Sequence, residues 1–511
     1  MKFGRQIRST VPSAPVVPTG HERPMPAMPI EVMSVPKASP LGTQLALVGL
    51  ALTALFLNGK TPTELGRFAA IGAGLSLAVS VAFDARRGIP NLIRADLMAI
   101  LAFYFLTLFE LLFPQDEFNL MTNAPATHKA ILIVLFGMAG LLAGRHLARP
   151  KTQPFSNTLT REVPPAWMIT IFWSAFFIGF SYMLIAVNFD VLAMLRWFMA
   201  PRFSQPWGRG KFGDWRALLF ELNMLTYLVP PLAGVIIARR KRYGSFALTC
   251  VCLGLAFTLF YSFSSGTRNL FASHLVTFVI GYVFSLPLER RREMVPVCVT
   301  VAAIFFVASL MMLKFRNNGL LHWLQTGEQS DAAFEKTVFV DYNLCSISQL
   351  TEVFPSRHPY LGWEIPYLAL IRPIPRAIWK SKPEGMSMSI EEALGAENMT
   401  ISASFAGEAY ISGGFLAVGL IGLFFGFITG WWSYLSSVRN SELGVLIYAS
   451  GFFAAVISMR SLFAFTTALL PTVAAIVIGT FAVRKLAAQA QRLLQARRQG
   501  QHPGPRPPRP R

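Results

Sequence analysis

Apolar runs close to the length of a membrane span recur along almost the whole of this chain. A helix needs about 20 mostly apolar residues to cross a bilayer. In hydrocarbon, only helices and closed barrels satisfy their own backbone polar groups. A barrel would show alternating segments of about ten residues, and these runs are continuous. The pattern predicts an all-α, polytopic integral membrane protein. Composition agrees: of 511 residues, 53% are hydrophobic and 14% charged, with a mean hydropathy of +0.47. A soluble domain carries roughly 25% charge.

The runs place twelve spans, at 43–57, 66–83, 95–113, 129–147, 166–188, 215–238, 245–263, 270–286, 295–313, 409–432, 443–459 and 461–483. Lysine and arginine then set the sidedness. Arg86, Arg87 and Arg94 follow the second span, and Arg145, Arg149, Lys151 and Arg161 the fourth. Arg239 to Arg242 follow the sixth, Arg290 to Arg292 the eighth, and Arg439 the tenth. Both tails are basic. The positive-inside rule predicts an N-in, C-in topology. Residues 1–42 read as a disordered basic cytoplasmic tail, 43–313 as spans one to nine and 314–408 as a large extracytoplasmic loop. Residues 409–483 carry the last three spans, and 484–511 form a basic cytoplasmic tail. The net charge of +20 therefore reads as membrane anchoring, not as a nucleic-acid footprint. Cys250, Cys252, Cys298 and Cys345 show no metal-type spacing, and no metal site or cofactor is expected. The first forty residues lack the apolar core of a cleavable signal.

Basic residues on the outer side break this pattern and call for an anionic ligand. They are Arg196, Arg202, Arg209 and Lys211 between spans five and six, Arg268 in the turn after span seven, and Arg460 in the last outer turn. Lys314, Arg316, Arg372, Arg376, Lys380 and Lys382 lie in the large loop. Glu110, Arg216, Glu221 and His274 also fall near outer ends of spans; ionisable groups there usually face a cavity. Arg196 and Arg202 flank an amphipathic stretch that fits snorkelling at the membrane surface. Arg209 and Lys211 sit among glycines, in WGRGKFG, where backbone can approach an anion. Arg268 opens a span, and helix N-termini favour phosphate. Arg372 and Arg376 stand in IRPIPRAIW, too proline-rich for a full span, so it reads as a re-entrant or surface segment.

Four elements occur in order: FSSGTR at Phe263–Arg268, KFR at Lys314–Arg316, PRAIWKSKP at Pro375–Pro383 and GEAYISGG at Gly407–Gly414. This ordered set resembles the bacterial O-antigen polymerases, the Wzy-type oligosaccharide repeat-unit polymerases. The similarity runs from the seventh span to the tenth; earlier residues match only in topology. The resemblance implies glycosyl transfer between two undecaprenyl-diphosphate-linked oligosaccharides at the outer face of a bacterial inner membrane. Undecaprenyl diphosphate leaves, and a chain-length regulator is an implied partner beside the lipid bilayer. Arginines aimed at the diphosphate would stabilise its departing charge. Arg268 and Arg376 are the leading catalytic candidates, with Glu408 as general base for the acceptor hydroxyl. Asp341, Glu364 and His358 are runners-up. Arg209, Lys211, Lys314, Arg316, Arg372, Lys380, Lys382, Tyr410 and Arg460 are candidate substrate contacts. Tyr360, Trp363, Trp379 and Tyr410 are candidates for stacking on sugars, although such rings are also common at membrane interfaces.

Two other readings remain open on sequence. An O-antigen ligase performs the same chemistry on a different acceptor. A flippase or exporter of lipid-linked sugars is of another class; transporters commonly show repeated halves, and no convincing internal repeat is visible here.

Overall fold

The computed structural model describes residues 37–149, 163–202, 204–207, 221–328, 340, 342–374, 378–383, 386, 402–435 and 441–500. These are helical throughout, with no strand among them. The helices are α1 Pro40–Leu55, α2 Pro62–Ala85, α3 Ala95–Thr107, α4 Ala124–Gly144, α5 Pro165–Ala186 and α6 Val191–Phe198. Next come α7 Leu222–Ala238, which opens as a tighter 3-10 turn, α8 Ser245–Ser264, α9 Arg268–Ser285 and α10 Met294–Phe315. The large loop contributes α11 Leu320–Thr326, α12 Asn343–Val353 and α13 Glu364–Ile371. The chain closes with α14 Ser404–Tyr434, α15 Glu442–Ile457, α16 Leu462–Ala468 and α17 Leu470–Gly500.

Among the described residues, seven helical segments are long and apolar enough to cross a membrane: Pro62–Ala85, Ala124–Gly144, Pro165–Ala186, Ser245–Ser264, Glu289–Phe315, Ser404–Tyr434 and Leu462–Gln489. Shorter apolar helices at Pro40–Leu55, Ala95–Thr107, Leu222–Ala238 and Glu442–Ile457 accompany them. The chain is a multi-pass membrane protein by this measure. Each stretch read as a span from sequence overlaps helix among the described residues, with several ends, such as 56–57, 145–147 and 187–188, lying in turns or coil.

Local signals explain the helix starts. Thr61 and Glu64 form a reciprocal capping box ahead of Pro62, Asn123 caps α4, and Ser441 caps α15. Packing is set by small residues. Gly140 and Gly144 on α4 face Gly419, Gly422, Gly426 and Gly430 on α14, so the two backbones cross at close range. A Cβ on Gly430 would stand 2.7 Å from the Arg145 carbonyl oxygen. This is the small-residue crossing expected where lipid offers no hydrophobic drive between helices.

Two buried ion clusters fasten the helix ends opposite the candidate site. Arg94 donates to Asp84 and Asp96 at 2.9 Å each, and Arg145 lies 3.7 Å from Asp84. Ser433 of α14 donates to Asp96 at 2.8 Å. Glu442 takes Arg242 at 2.8 Å and Arg239 at 3.3 Å, joining α7 to α15. Arg94 and Arg145 entered the topology count as loop charges, yet both are only 1% exposed. They are interior ion pairs, not headgroup anchors, because nearby carboxylates compensate their desolvation.

α14 is broken where the sequence reads Ser412-Gly413-Gly414. Gly414 has φ +65 and ψ −154, a conformation open almost only to glycine. The carbonyls freed by the break are taken by the loop before α13. Leu361 N–H donates to Ile411 at 2.9 Å, Gly362 N–H to Ser412 at 2.8 Å, and Ser412 Oγ returns a bond to Gly362 at 2.5 Å. A discontinuous helix of this kind is tolerated in a membrane protein when its backbone groups are satisfied again.

Candidate functional site

The candidate site is built where four turns meet at one end of the helices. The turn Ser264–Thr267 leads into α9 with Gly266 at φ +64; a Cβ there would press on Arg316 Cα at 3.3 Å. The FSSGTR turn and the KFR segment, 48 residues apart between Arg268 and Arg316, therefore lie against each other. The Arg316 carbonyl also accepts from Arg202 N–H at 3.3 Å, which ties in the segment after α6. Thr267 caps α9 without a side-chain bond, and Arg268 occupies the first helical position. Helix N-termini carry partial positive charge, so arginine there concentrates cationic character.

Arg268 donates to the Val340 carbonyl at 2.6 Å, and Val340 N–H donates to Glu110 Oε2 at 2.7 Å. One peptide of the large loop is thus held between an arginine on α9 and a buried glutamate just beyond α3. The next residue, Asn269, sits against Arg460, and with its amide oxygen turned toward the guanidinium it accepts from Nε at 3.3 Å. Glu408, only 6% exposed, sits directly across the same turn. Its Oε1 accepts from Ser461 Oγ at 2.6 Å and its Oε2 from Leu462 N–H at 2.5 Å. A carboxylate in that place caps α16 from outside. Arg372 acts on Glu408 electrostatically and lies over the Phe463 ring at 5.6 Å. Thr466 further pins α16 to α13 through the Ala369 carbonyl.

Contacts made through adjacent residues place Arg316 (by Gly266), Arg268, Arg460 (by Asn269), Glu408 (by Ser461 and Leu462) and Arg372 (by Phe463) in one neighbourhood. Among the described residues, the carboxylates bonded into it are Glu110 and Glu408. Lys314 is half-buried next to this group, and Lys380 is exposed. Lys382 has a different environment: its ammonium donates at 2.9 Å to the carbonyls of Arg372 and Ile374 and clamps the turn after α13. Tyr410 is fully buried, with its hydroxyl donating to Phe354 at 3.0 Å and Lys129 over its ring at 5.3 Å. Tyr360 meets that ring edge-on, and burial together with Tyr410 pushes the Tyr360 phenol up to about 12. Trp363 is the most exposed of the aromatic candidates, at 84%. Arg209, Lys211, Asp341 and Arg376 lie outside the described residues, as does Arg216.

Asn269 and Val340 were not singled out on sequence, and neither carries a signal there. Asn269 matters through Arg460, 191 positions away, and Val340 through its peptide group alone. Among the described residues, no group of three or more His, Cys, Asp and Glu side chains converges in a way that would hold a metal ion.

Residues 211–457 match the model of a domain of unknown function, DUF8712. That stretch contains Arg268, Arg316, Arg372 and Glu408 and ends just before Arg460. No curated protein and no solved structure gives a significant match.

Proposed function

We propose that this protein polymerises undecaprenyl-diphosphate-linked oligosaccharide repeat units into surface polysaccharide at the outer face of a bacterial inner membrane. The observation that carries the reading is the set of contacts, made through Gly266, Asn269, Ser461 and Phe463, that brings Arg316, Arg268, Arg460 and Arg372 into one neighbourhood. It brings residues of three of the ordered elements, FSSGTR, KFR and GEAYISGG, to one end of the bundle. In the proposed twelve-span, N-in and C-in topology, that end is extracytoplasmic.

In the reaction, the acceptor hydroxyl oxygen attacks the anomeric carbon of the donor sugar. The carbon–oxygen bond to the diphosphate breaks, undecaprenyl diphosphate leaves, and the hydroxyl proton passes to the departing diphosphate or to water. The diphosphate gains negative charge as it departs. Preorganised guanidinium groups around it stabilise that change more than they stabilise the ground state. Low local dielectric strengthens each contact. Both Glu408 oxygens already accept hydrogen bonds. That arrangement favours Glu408 as the residue that sets the Arg460 turn and α16, in place of the general-base role expected from sequence.

A second reading, transport of a lipid-linked sugar, draws on the break in α14, a device also found in transporters. Here the freed carbonyls of Ile411 and Ser412 are taken by Leu361 and Gly362, not left open for a cargo. The test is a polysaccharide gel from cells carrying Arg268→Ala or Arg376→Ala with protein levels verified. Loss of the long-chain ladder with a single repeat remaining supports polymerisation. A normal ladder in both variants rejects it, and long polymer retained on the lipid carrier after gene deletion indicates ligation.

A further inference from the structure

The α13 segment carries an apolar stripe that none of the described residues covers. Trp363, Tyr367 and Leu370 fall at steps of four and three residues, one face of α13, and Ile374 lies in the turn that follows it. They are exposed at 84%, 45%, 69% and 37%, and Ile378 extends the line at 72%. The opposite face, Ile365, Leu368, Ala369 and Ile371, is buried on the bundle side. The segment is firmly held: α13 is bonded to α16 through Thr466, and Lys382 clamps the turn behind it. A fixed segment in which the described residues leave five large apolar side chains exposed is an unusual surface unless something covers it.

We infer that this stripe lies on the lipid bilayer, seated at the boundary between headgroups and acyl chains. Continuity argues for lipid over a protein partner. The loop that begins α13 is bonded to Ile411 and Ser412, and Tyr360 Oη lies 2.9 Å from where a Cβ on Gly414 would stand. From that point α14 continues as a candidate membrane span whose own exposed side chains are Phe415, Leu416 and Leu420. The stripe starts where the lipid-facing surface of a span ends. Its chemistry matches that depth: Trp363 and Tyr367 are the ring types of the interfacial belt, and Lys380 stands exposed past Ile378, placed for lipid phosphate. The inference rests on the chain being a membrane protein and is independent of the polymerase reading.

The test uses full-length protein with Cys250, Cys252, Cys298 and Cys345 replaced, reconstituted into phosphatidylethanolamine and phosphatidylglycerol vesicles. An environment-sensitive fluorophore is attached at Leu370→Cys and, as an aqueous reference, at Glu328→Cys. Lipid docking predicts a blue-shifted emission at position 370, quenching by nitroxide-bearing lipids, and several-fold less quenching by iodide than at position 328. Iodide quenching equal to that at position 328 overturns the inference. So does shielding from both quenchers, which would mean a protein cover. Trp363→Phe gives a label-free second reading: quenching of total tryptophan emission by brominated lipid should fall in the variant, and an unchanged value counts against lipid contact.

Discussion

Glu408 and Arg268 differ in how far their roles can be read from residue type alone. Arg268 directly follows a glycine-containing turn and opens an apolar run, so its place at a helix N-terminus is legible from the sequence. Removing it is expected to lower polymerisation about 10²–10³-fold, the cost typical of losing one donor to a developing anion. Arg268→Lys should recover little, because an ammonium lacks the planar fork. Glu408 is also legible as a polar residue at a span's edge, but not its partners, Ser461 and Leu462, which come from a separate outer turn. As a cap, Glu408→Gln should keep measurable polymer while Glu408→Ala loses stability, by about 1–3 kcal/mol for the orphaned donors. A Glu408→Gln protein present at normal levels with no polymer would return the general-base role to it. Arg94 shows the limit of charge counting: an arginine near the end of a span reads as a headgroup anchor, and only the fold brings Asp84 and Asp96 around it.

At the scale of elements, helix existence was legible because apolar periodicity and length are written locally, while helix contacts were not. The glycines of α4 and α14 are plain in the sequence, yet nothing local says that they face one another. Gly414 is the position where the fold depends most on a missing side chain. Gly414→Ala should destabilise by about 1–3 kcal/mol from backbone strain alone, with Tyr360 Oη adding a clash. A thermal unfolding series in detergent reads this directly, and an unchanged midpoint would mean that the break in α14 relaxes. Asp96→Ala strips Arg94 of a bidentate partner in a buried site, where removing one member of a pair costs about 3–5 kcal/mol. The same melt should show a much larger loss than Glu328→Ala, whose pair with His322 is exposed.

Across the whole molecule, the two ion clusters hold one set of helix ends and the arginine neighbourhood occupies the other. The fixed bundle would keep guanidinium groups near one another at the cost of mutual repulsion, offset in part by Glu110 and Glu408. The structure of the interval between α10 and α14 was not legible in the sequence, since its order comes from long-range bonds such as Arg268 to Val340 and Leu361 to Ile411. The decisive measurement is made with purified protein in vesicles supplied with undecaprenyl-diphosphate-linked repeat units, products being resolved by length. Wild-type protein should yield a ladder and release undecaprenyl diphosphate, while folded Arg268→Ala yields neither. A ladder of undiminished length from Arg268→Ala, or none from the wild type with a verified substrate, would contradict an arginine-stabilised diphosphate departure.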